Sequence, residues 1–427
     1  MRVAVIGATG LVGSAICAGL ANGGHDVRGI VHTRRSRCFS CQSTFVMDVG
    51  RARLADWNAA LGDVQAVVNC AGVLQDSASE DVSGVHSNGI ATLVASCGQA
   101  GIARLIHFSA IGVDRAQPSS FSKSKLAGDR IVMATELDWV ILRPSVILGA
   151  PVFGASALMR GLAALPWLPS MPATERLQPV QLDDVVATVV HFLKEDSQAR
   201  IVLELPGPRT FTMDELVAKY RDWMGWPPAK LVQIPTWLAT VIYRFGDVAG
   251  MLGWRPPIRT NAQKEILRGA TGDVVPWTAA TGINPTSIEA ALTARPATVQ
   301  DRWFAGLYFL KPLIFVVLPF FWIMTGIISL TIGWDSGVNL MAVGGAGALA
   351  EPSVVAGALA DILVGVLVAW RKTARLGLQA ALALSIFYGI AGSIIRPDLW
   401  AEPLGPLMKI LPIVLLHFTA LSILKER

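Results

Sequence analysis

The stretch Val3-Ala4-Val5-Ile6-Gly7-Ala8-Thr9-Gly10-Leu11-Val12-Gly13 begins as an apolar run, breaks into glycines spaced Gly-x-x-Gly-x-x-Gly, and resumes as a helical pattern. It reads as a strand, a tight turn and a helix N-terminus. Glycines suit such a turn because a Cβ would hold the backbone away from a pyrophosphate, while the helix's free N–H groups and positive dipole end attract phosphate charge. A second strand-like run, His25-Asp26-Val27-Arg28-Gly29-Ile30-Val31, follows at the spacing of a βαβ unit. Together they predict a nucleotide-binding unit with Gly7, Thr9, Gly10, Leu11, Val12 and Gly13 around the phosphates.

After the second run, the position at which a carboxylate would hold a ribose 2′-hydroxyl is His32, followed by Thr33-Arg34-Arg35-Ser36-Arg37. Guanidiniums offer fixed donors and permanent charge to a 2′-phosphate. His32, Arg34 and Arg35 therefore predict NADP(H) in preference to NAD(H). A third strand, Thr44 to Met47, leads to Asp48, placed to accept from the adenine amino group, and to Val49, which would pack on the ring. A fourth, Ala66 to Asn69, ends in Cys70-Ala71-Gly72, where the small Ala71 and Gly72 let a ribose pass close to the backbone. A long helix around residues 84–100 leads to strand five at Arg104 to Phe108, then Ser109, then a helix carrying Phe121-Ser122-Lys123-Ser124-Lys125. Strand six, Trp139 to Leu142, runs into Arg143-Pro144. This alternation predicts an α/β fold: a Rossmann-like doubly wound parallel sheet over residues 1–150, with a smaller second lobe over 151–300.

In the second lobe, Asp184 of Val180-Gln181-Leu182-Asp183-Asp184-Val185 is expected to cap the helix that follows. Thr212 and Glu215 have the spacing of a capping box. Pro235-Thr236-Trp237-Leu238 opens an amphipathic helix, read either as a substrate lid or as a surface laid against a membrane.

These pieces in this order resemble the extended and atypical branches of the short-chain dehydrogenase/reductase superfamily. The matching residues are Gly7 to Gly13, Asp48-Val49, Cys70-Ala71-Gly72, Ser109, Lys125, Leu142-Arg143-Pro144, Asp183-Asp184-Val185 and Leu205-Pro206-Gly207-Pro208 before Thr210-Phe211-Thr212. The chain is most similar to the branch that includes the NADPH-binding accessory subunit of respiratory complex I. The resemblance implies that Lys125 holds the nicotinamide ribose, that Ser109 binds a carbonyl oxygen, and that Pro144 lies at the cofactor. It also exposes a departure. Working members place a tyrosine four residues before the lysine as proton donor. Here that residue is Phe121, and no tyrosine precedes Tyr220. His107 is an alternative acid that, on strand alternation, is expected to point away from Ser109.

The 427 residues are 52% hydrophobic with mean hydropathy +0.50, too apolar for a single soluble domain. From Pro312 onward uncharged runs dominate. Pro312 to Ile332 is 21 residues without a charge, and residues 354–370, 376–395 and 404–424 are three further candidate spans, predicting a four-helix transmembrane bundle over 305–427. Glu351 and Pro352 argue against a simple helix through that region, and residues 344–347 read as a span extension or a re-entrant turn. Arg302, Lys311, Arg371, Lys372, Arg375, Lys425 and Arg427 fall on one side of such a bundle. The other side holds Arg396 beside Asp335, Glu351, Asp398 and Glu402. That asymmetry places both termini and the nucleotide unit in the cytoplasm, at a bacterial inner membrane. The chain opens on a strand with no charged-then-apolar leader, so no cleaved signal is expected.

Residues 305–427 resemble the four-helix DoxX-like membrane family, some of whose relatives are linked to quinone chemistry. Asp361 and His417 are the ionisable groups inside its predicted spans. The net charge of +5 without a dense basic tract fits membrane topology and not nucleic-acid binding. The five cysteines are expected as thiols. Cys38 and Cys41 have the spacing of half a zinc site with no second pair in the sequence, so no metal is predicted. The expected partners are NADP(H), membrane lipid and a lipid-soluble carbonyl or quinone substrate. A non-catalytic NADPH-holding sensor or assembly protein is the alternative.

Overall fold

The computed structural model describes residues 1–33, 38–72, 84–254 and 256–424. Contacts divide the chain into two units, residues 1–247 with 256–305, and residues 248–255 with 306–427.

The first unit is built on a seven-stranded sheet. Its strands are β1 (Arg2–Ile6), β2 (Asp26–Val31), β3 (Ser43–Val46), β4 (Ala66–Asn69), β5 (Arg104–Phe108), β6 (Trp139–Pro144) and Ile201–Leu205. Their order is Ile201–Leu205, β6, β5, β4, β1, β2, β3, every pairing parallel. Successive β1 side chains serve opposite faces. Val3 and Val5 join Ile16 and Leu20 of helix α1 (Leu11–Asn22) and Val185 and Val189 in one core. Ala4 and Ile6 join Trp57, Leu61, Ile90 and Leu93 in the other. Apolar residues on both faces are what a parallel sheet between two helix layers requires. Chain order reverses about β1, so the crevice at the carboxyl ends of β1 and β4 is where such a sheet takes its ligand.

Helix α2 (Leu54–Leu61) and helix α3 (Gly89–Ala100) pack together, a π-helical turn Gly84–Asn88 preceding α3. Helix α4 (Ser120–Met133) starts at Ser119, whose Oγ accepts from Ser122 N. Its buried stripe includes Ser122, Lys125, Gly128, Asp129 and Val132, at helical spacing but mostly polar. A polar stripe turned to the interior must be matched by polar partners, and those partners compose the site.

The second lobe has its own core of Leu148, Met159, Phe211, Leu216, Tyr220 and Ile288. Thr212 caps its helix as expected, Glu215 N donating to Thr212 Oγ1 at 3.1 Å and Thr212 N to Glu215 Oε2 at 2.7 Å. The helix Thr236–Met251 follows Pro235. Asp184 does not cap: the helix Leu182–Phe192 begins two residues earlier, and the Asp184 carboxylate accepts from Thr286 N at 2.7 Å and Thr286 Oγ1 at 3.0 Å. Its buried side chain, inside the first turn, ties a later loop to the helix.

A second correction concerns sulfur. Cys38 and Cys41 form a disulfide, their Cα atoms 5.4 Å apart and within bridging reach, whereas Cys17, Cys70 and Cys97 are thiols.

Among the described residues three helices are long and apolar enough to cross a membrane: Val299–Leu330 (a composite including Leu310–Leu330), Gly347–Ala369 and Ala374–Ile395. A shorter one is Ile410–Ile423. The fourth predicted span starts late because Gly405, at φ 53°, and Pro406 turn the chain before residue 410. Glu351 and Pro352 do not interrupt the second span. They lie in the first turn of helix Ala350–Ala369, where proline's missing N–H leaves no ladder bond unmade. Residues 344–346 instead follow a separate helix, Trp334–Val343. Helices Leu310–Leu330 and Ala350–Ala369 approach closely through Gly326, where a Cβ would stand 2.4 Å from Ala358 O. Interior polar groups are paired: Tyr388 Oη donates to Asp361 Oδ1 at 2.9 Å, and Trp322 Nε1 to His417 Nε2 at 3.0 Å.

Candidate functional site

The glycine loop has the geometry its spacing implies. Gly7 sits at φ 77°, a conformation L side chains rarely adopt, and Gly10 N donates to Gly7 O at 2.9 Å before α1 begins at Leu11. A Cβ on Gly13 would lie 2.2 Å from Gly7 O, so only glycine lets α1 start this close to the turn. Thr9 lies in the turn, and Leu11 and Val12 open α1. The helix N-terminus is thus presented at the end of β1 with its N–H groups free for an anion.

At the next strand end, Asn69 Oδ1 accepts from Ala71 N at 3.1 Å and holds the Cys70-Ala71-Gly72 turn. A Cβ on Gly72 would be 3.3 Å from Lys125 Nζ and 3.7 Å from His86 Nε2, so the bare backbone is flanked by both. Asp48 Oδ1 accepts from Gly50 N at 3.1 Å, which orients its own turn, and Val49 packs on the sheet's second core. Pro144, the last residue of β6, takes Ile111 N on its carbonyl at 3.1 Å. His32 lies exposed just past β2, and Arg34 and Arg35 fall outside the described residues.

Lys125 is the centre of the site. Its side chain is buried, and Nζ donates to Phe108 O at 2.9 Å and Ala71 O at 3.4 Å, the backbone ends of β5 and β4. Burial pushes the ammonium down to about 8, against the opposing pull of Asp129 and Cys70. Phe121, one turn earlier, stands edge-on to His86 with ring centroids 5.7 Å apart.

His86 had no sequence motif to mark it, yet the turn before α3 brings it beside Gly72, Phe121 and Lys125. Ser124 Oγ donates to Phe121 O at 2.9 Å, so the 2.9 Å contact with His86 Nδ1 is a donation from the ring. That leaves Nε2 as the acceptor on the Lys125 side. Burial first, and then the charge of Lys125 and of His107, push the imidazole down to about 2, so it is neutral.

Ser109 is 6% exposed, and its Oγ donates to Asp129 Oδ2 at 2.9 Å. Asp129 also accepts from Arg143 Nε at 3.1 Å and Nη2 at 2.9 Å, and Arg143 pairs further with Asp114. Burial raises the Asp129 carboxyl, with Ser109, Arg143 and Lys125 working the other way. His107 does not point away from Ser109. Residues two apart on a strand share a face, and His107 Nε2 stands 3.7 Å from Asp129 Oδ1. Because Asn69 Oδ1 is occupied by Ala71 N, Asn69 Nδ2 donates to His107 Nδ1 at 3.2 Å, which puts the ring proton on Nε2 toward Asp129. Burial, with Lys125 beside it, lowers this imidazole to about 3. Asn69, His107, Asp129 and Ser109 thus form a polar chain beneath the strand ends, within the electrostatic reach of the Lys125 ammonium.

Comparison with known proteins bears on the two parts of the chain and on the fold. Residues 7–161 match the NAD(P)H-binding family and residues 319–418 the DoxX-like family. A ceramide reductase of Caulobacter vibrioides is 26% identical over 236 residues, which is 55% of this chain and 73% of that protein. The mitochondrial NADH dehydrogenase [ubiquinone] 1 alpha subcomplex subunit 9 of Arabidopsis thaliana is 31% identical over 140 residues, 32% of this chain and 34% of that protein. The chain thus spans about a third of that subunit. Among solved structures, MoeE5 in complex with UDP-glucuronic acid and NAD superposes with a TM-score of 0.53 at 19% identity, covering 69% of this chain and 97% of that one. A UDP-glucuronic acid 4-epimerase from Bacillus cereus gives 0.51 at 17%, covering 69% and 98%. At these identities the structures share the fold. One polypeptide thus carries an NAD(P)H-binding domain at residues 7–161 and a DoxX-like domain at residues 319–418.

Proposed function

We propose that this protein is a membrane-anchored, NADP(H)-dependent oxidoreductase that reduces a lipid-soluble carbonyl or quinone, with Lys125 as the group that meets the substrate oxygen. The observation that carries this reading is the seat of Lys125. Two of its three N–H bonds go to Phe108 O and Ala71 O, which leaves the third for the ribose or substrate side of Gly72.

The cradle fits a dinucleotide: Gly7, Gly10 and Gly13 leave backbone N–H groups for a pyrophosphate, Gly72 leaves room for a ribose, and Asp48 and Val49 flank the adenine side. NADPH, when bound, supplies the hydride. The chain's own residues supply the proton and the placement. With Phe121 where a phenol would stand, the acid is the Lys125 ammonium, and a value of about 8 lies close enough to neutral for it to give up a proton. Ser109 is then a positioning residue, since its hydroxyl proton is committed to Asp129 and acts on Lys125 through that carboxylate. The 26% identity to a ceramide reductase supports a lipid substrate, and the apolar C-terminal helices support delivery from a bilayer. Reporter fusions after residues 300, 335, 373, 399 and 427 are expected to read in, out, in, out, in.

Phe121 favours a second reading, in which NADPH is held structurally, as in an accessory or sensor protein. The two separate on NADPH consumption by the full chain in detergent with long-chain ketones and quinone analogues. The oxidoreductase reading requires turnover that Lys125→Met abolishes. Absence of turnover in wild type, with NADPH bound tightly and raising the melting temperature, establishes the second reading instead.

A further inference from the structure

Cys17 and the Cys38–Cys41 pair, distant in sequence, meet beneath the glycine loop. Cys17 is buried on α1, and Cys38 and Cys41 are half-buried in the segment between β2 and β3. Their sulfurs all lie within 4.8 Å of one another. A Cβ on Gly29 of β2 would stand 2.7 Å from Cys41 Sγ and 3.0 Å from Ala8 Cβ, so the bare backbone there makes room for the sulfurs directly under the turn that follows Gly7.

We propose that Cys17, Cys38 and Cys41, once the Cys38–Cys41 disulfide is reduced, form a three-thiolate site for one thiophilic cation, Zn(II) or Cu(I). An ion bonded to three sulfurs at about 2.3 Å in a trigonal array holds them about 4 Å apart, a spacing open to this cluster once the S–S bond is broken and its two sulfurs part. The disulfide accounts for two of the sulfurs. The third arrives from a different element and has no part in that bond, and it raises a pair to a chelating set. No carboxylate or imidazole belongs to the group among the described residues, and an all-sulfur set selects Cu(I) and Zn(II) over hard cations such as Mg²⁺ or Ca²⁺. The chemistry balances. A dithiol reductant gives two electrons and two protons, the S–S bond breaks into two thiols, and the reductant leaves as its own disulfide. Each thiol that binds the cation then releases its proton to water.

The site is tested on the full-length protein in detergent, reduced with a phosphine under argon and titrated with Zn(II) or Cu(I) against a chromophoric chelator. One equivalent per chain is expected, with affinity weakened at least about 100-fold in Cys17→Ala, Cys38→Ala and Cys41→Ala. Circular dichroism checks that each variant is folded. Should Cys17→Ala fail that check, Cys17→Ser replaces it, keeping the size but offering a hard donor. Unchanged affinity in the folded Cys17 variant would reduce the site to a two-cysteine chelate and overturn the proposal, as would a reduced wild type that binds neither ion. Because the readout is metal stoichiometry, the result does not depend on whether the nucleotide site turns over.

Discussion

Ser109 Oγ donates to Asp129 Oδ2 at 2.9 Å, so the hydroxyl at the end of β5 belongs to a buried carboxylate on α4 and not to the open side of the strand ends. The same carboxylate takes two guanidinium N–H groups from Arg143 and lies 3.7 Å from His107. A charge this deep persists because its partners are all in place, and removing one leaves the others uncompensated.

Asp129→Ala leaves the buried Arg143 with Asp114 alone as its carboxylate partner and is expected to cost about 3–5 kcal/mol of stability. Ser109→Ala removes one neutral donor and is expected to cost about 1–3 kcal/mol. Chemical denaturation of the two variants checks the order. Equal costs would mean that Asp129 is not the hub.

The pH response of Lys125 has two opposite signs. Its folded value of about 8 lies below its ordinary 10.5, so between them the unfolded chain binds more protons, and stability rises with pH through that interval. Proton donation and ribose binding need the ammonium, so kcat/KM for NADPH-dependent reduction is expected to fall as pH rises through about 8. A profile from pH 6 to 10 measures this, and a descending limb unchanged in an active Lys125→Arg variant would assign it elsewhere.

Gly13→Val places a branched side chain where a single Cβ already meets Gly7 O at 2.2 Å. The turn must open, and NADPH affinity is expected to fall at least about tenfold, a change of about 1.4 kcal/mol. Calorimetric titration reads it directly. Gly98→Ala, at an exposed helical glycine with no atom near its would-be Cβ, is the control that leaves affinity unchanged.

Replacing Arg34 and Arg35 together with alanine is expected to weaken NADPH about ten- to a hundredfold, the worth of about 1.5–3 kcal/mol for hydrogen bonds to a charged phosphate. NADH affinity should stay within about twofold. Equal losses for both cofactors would remove the 2′-phosphate from the explanation.

By itself the sequence determined the features that depend on neighbours along the chain. The Gly7 to Gly13 loop, the alternation of strands with helices, the Thr212 and Glu215 capping box and the apolar runs past Pro312 all follow from periods of two, three or four residues, and backbone geometry turns those periods into structure without help from elsewhere. Strand alternation also decided that His107 and Ser109 share a face, although the expectation here had set them apart. What only the tertiary structure decided lies between elements. Asp129 meets Ser109 because α4 crosses the end of β5, and Asp184 holds Thr286 from 102 residues away. His86 reaches Lys125, and Cys17 reaches Cys38 and Cys41, by packing that no local spacing records. The reason is physical: a side chain's own segment fixes the direction in which it leaves the backbone, but its partner is set by how whole helices and sheets bury their apolar faces, and that is a property of the assembled core.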